Sequence, residues 1–148
     1  APGLKKIIIS KANKIVLGAL PTVSCLRLAR SLAMEIKEMR GGELSDISLV
    51  INMQGFAPSQ ELSKGDIEAA MEMKVASTLP FDPKLFVRME SEGIHMSKDK
   101  DGVEIMKSAF MPLMQKLLKV NPTQSEVSAK GDKDGIFSGI LGKLGSKK

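Results

Sequence analysis

Apolar residues in this chain form short runs of strand length, separated by stretches in which they recur at helical intervals. The runs cover residues 14–20 (KIVLGAL), 47–52 (ISLVIN) and 74–79 (KVASTL). Short continuous apolar runs bounded by proline or polar residues are typical of strands buried on both faces of a parallel sheet. We therefore predict three strands at these positions.

The intervening stretches have the periodicity of amphipathic helices. Cys25, Leu28, Ala29, Leu32, Ile36 and Met39 fall on one helical face, and two glycines at 41–42 end that helix. Further short helices are predicted before the first strand, over residues 65–71 and from residue 83 to about 90. A last helix over residues 102–119 contains Pro112, which should kink it. Strands alternating with helices predict an α/β fold, a partial parallel sheet with flanking helices and right-handed crossovers.

The end of the chain differs in composition from the rest. Residues 120–134 are rich in Pro, Ser, Lys, Gly and Asp, which favours a flexible linker. Residues 135–148 form a flexible C-terminal tail with apolar positions at helical spacing among lysines. The apolar positions are Ile136, Phe137, Ile140, Leu141 and Leu144, and the lysines are Lys143, Lys147 and Lys148. The pattern predicts a basic amphipathic segment that binds an anionic membrane surface; the alternative is a segment that docks on the domain or stays disordered.

Composition and charge set limits on the kind of protein. The 148 residues, 43% hydrophobic and 26% charged, suffice for one globular domain. Residues 1–40 hold eight basic against two acidic side chains, residues 41–119 nine against twelve, and residues 120–148 five against three. With no Trp or Tyr and only five Phe, a stacking platform for single-stranded nucleic acid is not expected. The single cysteine fits a reducing compartment, and no apolar run reaches bilayer-spanning length.

Catalytic and metal-binding motifs are not found in the sequence. The P-loop pattern G-x-x-x-x-G-K-[ST] does not occur, and its nearest approach, at residues 139–144, has the wrong spacing and no hydroxyl. The dinucleotide pattern G-x-G-x-x-G is absent too. His95 is the only histidine and Cys25 the only cysteine, so neither a zinc site nor a histidine-activated thiol is expected. No catalytic residue is therefore assigned.

Two predicted turns are candidates for a ligand-binding site because each follows a predicted parallel strand. Asn52 ends the second strand, and Pro80, Phe81 and Asp82 follow the third. Open α/β sheets bind ligands at the carboxyl ends of their strands, and an asparagine amide has the donors and the acceptor to recognise an adenine edge. Asp82 is also expected to cap the helix that begins at Pro83. The alternative is a pair of ordinary turns.

Several of these stretches resemble ParA/MinD-type ATPases. KIVLGALP (14–21) followed by LRLARSL (26–32) is similar to their strand, proline and Leu-Arg-x-Ala helix, and LVIN (49–52) resembles their strand ending in Asn. Residues 63–70 and VASTLPFDPKLF (75–86) most resemble the CpaE/TadZ branch, the atypical ATPases of Flp-type (Tad) pilus assembly. SEGIHM (91–96) matches the loop before the final helix of that branch. The resemblance covers about residues 4–119.

The resemblance implies a site and an architecture. In that family the nucleotide base is held by the strand-end Asn and by the loop after the next strand, here Asn52 and Pro80, Phe81 and Asp82. ATP and Mg are implied for the full-length family protein. The P-loop and switch loops of the family precede all the matched segments. Residues 1–119 would thus be the C-terminal half of a ParA/MinD-like P-loop NTPase domain, and whether the protein is an enzyme is left open.

The resemblance also implies a biological role. It suggests a pilus assembly and polar localisation protein, a nucleotide-controlled scaffold at the cytoplasmic face of the inner membrane. Its implied partners are a second copy in a homodimer and the pilus secretion machinery, including the motor ATPase. Two alternatives stay open: another ParA/MinD-type partitioning or division-site ATPase, and a complete, non-enzymatic α/β binding module.

Overall fold

A computed structural model describes residues 2–118 of the chain. The elements follow in the order α1 (Pro2–Lys11), β1 (Ile15–Ala19), α2 (Val23–Met39), β2 (Ile47–Gln54), α3 (Lys64–Met71), β3 (Val75–Pro80), α4 (Pro83–Glu92), α5 (Lys100–Ile105) and α6 (Met111–Leu118). A 3₁₀ turn (Pro58–Gln60) precedes α3, and a π-helical turn (Met106–Phe110) joins α5 to α6. The predicted linker and the membrane-binding tail lie outside the described residues.

The three strands form one parallel sheet in the order β1-β2-β3, which confirms the predicted α/β class. Ile15 pairs with Ile47 and Ala19 with Ile51, so β1 and β2 run in regular register. Between β2 and β3 the register shifts twice, the second time between Ile51 and Gln54. The strands connected by α2 and α3 are neighbours in the sheet, as expected for consecutive βαβ units.

The hydrophobic core lies between α2, α3 and one face of the sheet. It is built from aliphatic side chains, because they fill the layer without leaving polar atoms unsatisfied. Its buried members are Leu17, Ala19, Leu26, Ala29, Ala33, Ile36, Ile47, Leu49, Ile51, Ile67, Met71 and Met73. The other sheet face carries Val50 and Ser77, and the Ser77 hydroxyl donates to the carbonyl of Ala109 in the π turn.

The buried face of α2 is rotated from the predicted one. Leu28 is 72% exposed, whereas Leu26 and Ala33 are buried beside Ala29 and Ile36. Ala29 and Ile36 belong to both the predicted and the observed face, which is why the helical spacing alone did not separate the two. The prediction that placed Leu28 in the core was wrong, because Leu26 and Ala33 fill that part of the face.

The break in the last helix lies just before Pro112, as a π turn. Proline has no N–H to bond to the preceding turn. The N–H of Met111 donates to the carbonyl of Met106, a five-residue step that widens the helix by one residue there. The helix predicted as continuous is therefore interrupted by a local change of helix type just before Pro112.

Candidate functional site

The backbone of β2 is irregular directly after Asn52, and the strand ends at Gln54, two residues later than predicted. The Oδ1 atom of Asn52 accepts a hydrogen bond from the backbone N–H of Met53 at 2.9 Å. Met53 has φ 55° and Gly55 has φ 93°, both in the left-handed region, and the N–H of Phe56 donates to the Met53 carbonyl at 3.1 Å. Asn52 is exposed at this edge of the sheet, and the Met53 contact uses Oδ1 of its amide but not the Nδ2 donor group.

The end of β3 is held against the end of β2. Pro80 pairs with Gln54 in the sheet, and the N–H of Phe81 donates to the Gln54 carbonyl at 2.8 Å. The Oδ1 atom of Asp82 accepts from the N–H of Leu85 at 3.0 Å and caps α4, which starts with Pro83. The predicted capping role of Asp82 is confirmed. Its carboxylate is therefore occupied with the helix rather than directed wholly outward.

Two aromatic rings meet at this edge. The rings of Phe56 and Phe81 lie edge to face, with centroids 5.0 Å apart and planes at 87°. Phe56 is 58% exposed and Phe81 is 36% exposed. Edge-to-face contact is a favoured arrangement for aromatic pairs because the positive edge of one ring meets the negative face of the other.

The loop that carries Phe56 is fixed by one carboxylate. Both oxygens of Glu61 accept from the N–H of Gly55 at 3.0 Å, and Oε1 also accepts from the N–H of Ala57 at 2.9 Å. The residues on either side of Phe56 thus share one half-buried acceptor. Charged acceptors form stronger hydrogen bonds than neutral ones. The Glu61 carboxylate therefore stabilises the loop at residues 55–57, which carries the Phe56 ring.

The structure brings the four sequence-predicted residues to one edge of the sheet. Asn52 and Pro80 lie in the last residues of two neighbouring strands that are joined at Gln54, and Phe81 and Asp82 directly follow the second strand. Sequence reasoning missed Phe56 and Glu61. The one sequence feature that could have indicated them is Gly55, because a glycine after a strand predicts a tight turn. It does not predict which side chain of the turn is exposed. The binding role of these residues stays a prediction.

Other candidate groups lie elsewhere. His95 is exposed and Cys25 is half-buried on α2. Within residues 2–118 there is no group of three or more His, Cys, Asp or Glu side chains that could hold a metal ion. No helix in the same part of the chain is both long and apolar enough to cross a membrane.

Comparison with known proteins identifies the fold. The sequence matches no protein-family model and no curated protein. Among solved structures, the chain is similar to the MinD cell division protein of Aquifex aeolicus, with a TM-score of 0.58 and 20% identity. It is also similar to the cell division ATPase MinD of Pyrococcus furiosus, with a TM-score of 0.56 and 23% identity. A chain of the MinC:MinD cell division protein complex from Aquifex aeolicus matches with a TM-score of 0.59 and 20% identity.

These matches extend over most of this chain but less than half of each structure. They cover 78%, 74% and 78% of the chain, and 48%, 44% and 47% of the respective matched chains. At this level of identity the likeness concerns the fold. The chain therefore shares an α/β fold with part of the MinD ATPases.

Proposed function

We propose that residues 1–119 are the carboxyl-terminal half of a ParA/MinD-type nucleotide-binding domain, with Asn52, Pro80, Phe81 and Asp82 at the nucleotide base. The observation that carries the proposal is the convergence of these residues at the carboxyl edge of a MinD-like parallel sheet, where α/β proteins bind ligands. ATP and Mg are the cofactors of the proposed whole protein. The residues here fit the base alone, because the sequence has no P-loop string for the phosphates.

The uncovered side of the sheet supports the half-domain proposal. Within residues 2–118, β1 pairs only with β2, and its Val16 is 48% exposed on the sheet face opposite the core. On α1, Leu4, Ile7 and Ile8 are each more than half exposed. An open strand edge beside exposed apolar side chains is normally covered by further structure. Under the proposal, the other half of the domain covers it.

The DNA upstream of the codon for Ala1 tests this proposal directly. An open reading frame that continues upstream and encodes a glycine-rich loop with lysine is the expected result. A start codon immediately before Ala1, with no such frame, would overturn the half-domain proposal and favour a complete, non-enzymatic α/β binding module.

We propose further that the protein belongs to the CpaE/TadZ type and acts in Flp/Tad pilus assembly and polar localisation. The support is the resemblance of residues 63–70 and 75–86 to that branch. In this role it is a homodimeric scaffold in the cytoplasm, bound peripherally to the inner membrane at the cell pole, that positions the pilus secretion machinery. The second candidate is a partitioning or division-site ATPase, with which the likeness to MinD structures is equally compatible.

A bacterial two-hybrid experiment separates these two roles. The full-length protein is tested against the pilus motor ATPase and secretion proteins, and in parallel against division-site and chromosome-partitioning proteins. Interaction with pilus proteins alone is expected. Interaction with division or partitioning proteins alone would reject the pilus role in favour of the second candidate.

Membrane binding by the tail is a separate part of the proposal. Flotation with anionic liposomes is expected to recover the 148-residue chain but much less of a variant lacking residues 135–148. A full-length variant with Lys143→Glu, Lys147→Glu and Lys148→Glu retains the apolar positions and tests the charge contribution. Unchanged flotation after truncation would show that the tail is not the membrane anchor.

A further inference from the structure

The phenylalanines of this protein are distributed unusually. The described residues contain four, Phe56, Phe81, Phe86 and Phe110, and each is at least 36% exposed, while the core is aliphatic. A phenylalanine side chain is strongly stabilised by burial, so exposed rings in a protein with a well-packed core point to contacts outside that core. Phe56 and Phe81 differ from the other two because their rings contact each other.

The Phe56–Phe81 pair is held in place by backbone hydrogen bonds at both ends. Phe81 is bonded to β2 through the Gln54 carbonyl, and the loop around Phe56 is bonded to the Glu61 carboxylate. A rigid display of exposed apolar surface lowers the entropy lost when a ligand binds. The pair is therefore arranged as a preformed surface.

A hydrogen-bonding group accompanies this surface. The chain reverses direction in a turn between Asn52 and Phe56, so the Asn52 amide and the aromatic pair lie at the same edge of the sheet. Within the described part of the chain, Nδ2 of Asn52 has no hydrogen-bond acceptor. An exposed aromatic ring together with an exposed amide donor matches a nucleobase, which offers a π face for stacking and polar edge atoms for hydrogen bonds.

We propose that the Phe56–Phe81 pair is a stacking surface for a purine base, with Phe56 the residue that determines base affinity. This inference rests on the proposed nucleotide site and adds Phe56, which lies outside the loop predicted from the sequence. Glu61 acts as a positioning residue, since it contacts the loop backbone rather than the base. The surface binds one base, not a strand of nucleic acid.

Saturation-transfer NMR on the full 148-residue chain tests the inference. The probe is adenosine 5′-monophosphate, with ribose 5-phosphate as the ligand that lacks a base. Saturating the phenylalanine ring protons is expected to transfer to the purine H2 and H8 protons. Phe56→Ala should weaken binding of adenosine monophosphate about fivefold or more, the usual loss for one aromatic stacking contact.

Matched variants separate stacking from general hydrophobicity. Phe56→Tyr keeps a planar ring and should retain binding, whereas Phe56→Leu keeps apolar volume and should lose it. Phe86→Ala removes a ring of similar exposure (52%) from α4 and should have no effect. Each variant is compared with the unmodified chain by circular dichroism to confirm that it folds.

The outcomes distinguish this inference from the function on which it rests. If the unmodified chain binds adenosine monophosphate and Phe56→Ala binds it equally well, the stacking surface is rejected while the base site at Asn52 stands. If the unmodified chain binds adenosine monophosphate no better than ribose 5-phosphate, the base site is rejected and the stacking surface with it.

Discussion

The backbone N–H of Phe81 donates to the carbonyl oxygen of Gln54 at 2.8 Å, and this bond joins the last residue of β2 to the first residue after β3. It follows the second register shift between the two strands. Irregular pairing of this kind bends a strand and changes the direction of the chain at the end of a sheet. Here it brings the loop that contains Phe56 beside the loop that contains Asp82.

Replacing Glu61 by Gln should loosen the loop around Phe56. The variant loses the charge of an acceptor that serves the N–H groups of Gly55 and Ala57. We expect the free energy of unfolding to fall by about 1–2 kcal/mol, in line with hydrogen bonds to charged groups. Hydrogen exchange at the amides of Gly55 and Ala57 should become faster, while Glu35→Gln on exposed α2 surface should change neither. Unaltered exchange at both amides would contradict the anchoring role of Glu61.

Gly102 is expected to be intolerant of a methyl group. A Cβ at this position would lie 2.6 Å from the carbonyl oxygen of Met96, a backbone atom that cannot move away cheaply. Although alanine normally favours a helix, Gly102→Ala should destabilise the protein by about 1–3 kcal/mol, as overpacking does. Gly18→Ala is the control, because a Cβ there meets nothing within 4 Å. Urea unfolding that ranks the two variants equally would contradict this.

Arg40 should be a major contributor to the stability of the region where α1, β1 and β2 meet. Its guanidinium donates to the carbonyls of Ile9 at 2.8 Å and Ala12 at 2.6 Å, and to the carboxylate of Asp46 at 3.2 Å. Arg40→Met would leave the two carbonyls without their charged donor, while Asp46 keeps its ion pair with Lys14, at a cost of about 2 kcal/mol in unfolding free energy. Arg27→Met, on the exposed side of α2, is the control. Equal unfolding midpoints for both variants would argue against this role.

The ion pair between Arg88 and Asp99 should make stability depend on acid pH. Nε and Nη2 of Arg88 donate to the two oxygens of Asp99 at 3.0 and 2.9 Å. These bonds, with help from the Gly102 N–H, hold the pKa of Asp99 below its ordinary value. The unfolded chain therefore binds this proton more readily than the folded chain. The stabilisation is complete above the ordinary aspartate pKa, about 4, and is lost as the pH falls through the lower folded value.

The variant Asp99→Asn tests directly whether ionisation of Asp99 stabilises the fold at neutral pH and loses this effect in acid. The variant should be less stable than the unmodified protein at pH 7, and the difference should shrink as the pH is lowered below about 4. Glu104→Gln is the control, because Glu104 is an exposed residue of α5, the helix that Asp99 caps. Its stability relative to the unmodified protein should be the same at neutral and at acid pH. A stability difference for Asp99→Asn that is constant from pH 7 to acid pH would show that ionisation of Asp99 does not stabilise the fold.

The fold was more predictable from the sequence than the surface of the site. The three strands could be located because they are short apolar runs bounded by proline or polar residues, a pattern typical of buried strands. The buried face of α2 was only partly predicted: Ala29 and Ile36 lie on both the predicted and the observed face, but Leu26 and Ala33 are buried there. The break before Pro112 could be foreseen, but its form as a π turn depends on where the helix packs.

Only part of the candidate site could be predicted from the sequence, because the rest depends on tertiary contacts. Asn52 and Asp82 occupy the ends of strands, and topology alone places such ends together. The contact between Phe56 and Phe81 depends on the register shift and on three hydrogen bonds to Glu61, which are tertiary features. No local pattern encodes them.

The central claim is that the carboxyl edge of this sheet holds a nucleotide base. Its most direct test is a titration of the ¹⁵N-labelled 148-residue chain with adenosine 5′-monophosphate, followed by two-dimensional NMR. The account predicts shifts of the Asn52 side-chain amide and of backbone amides 53–57 and 81–85, with residues of α1 and the opposite end of the sheet unchanged. Binding that shifts other regions and leaves the Asn52 side chain untouched would contradict it.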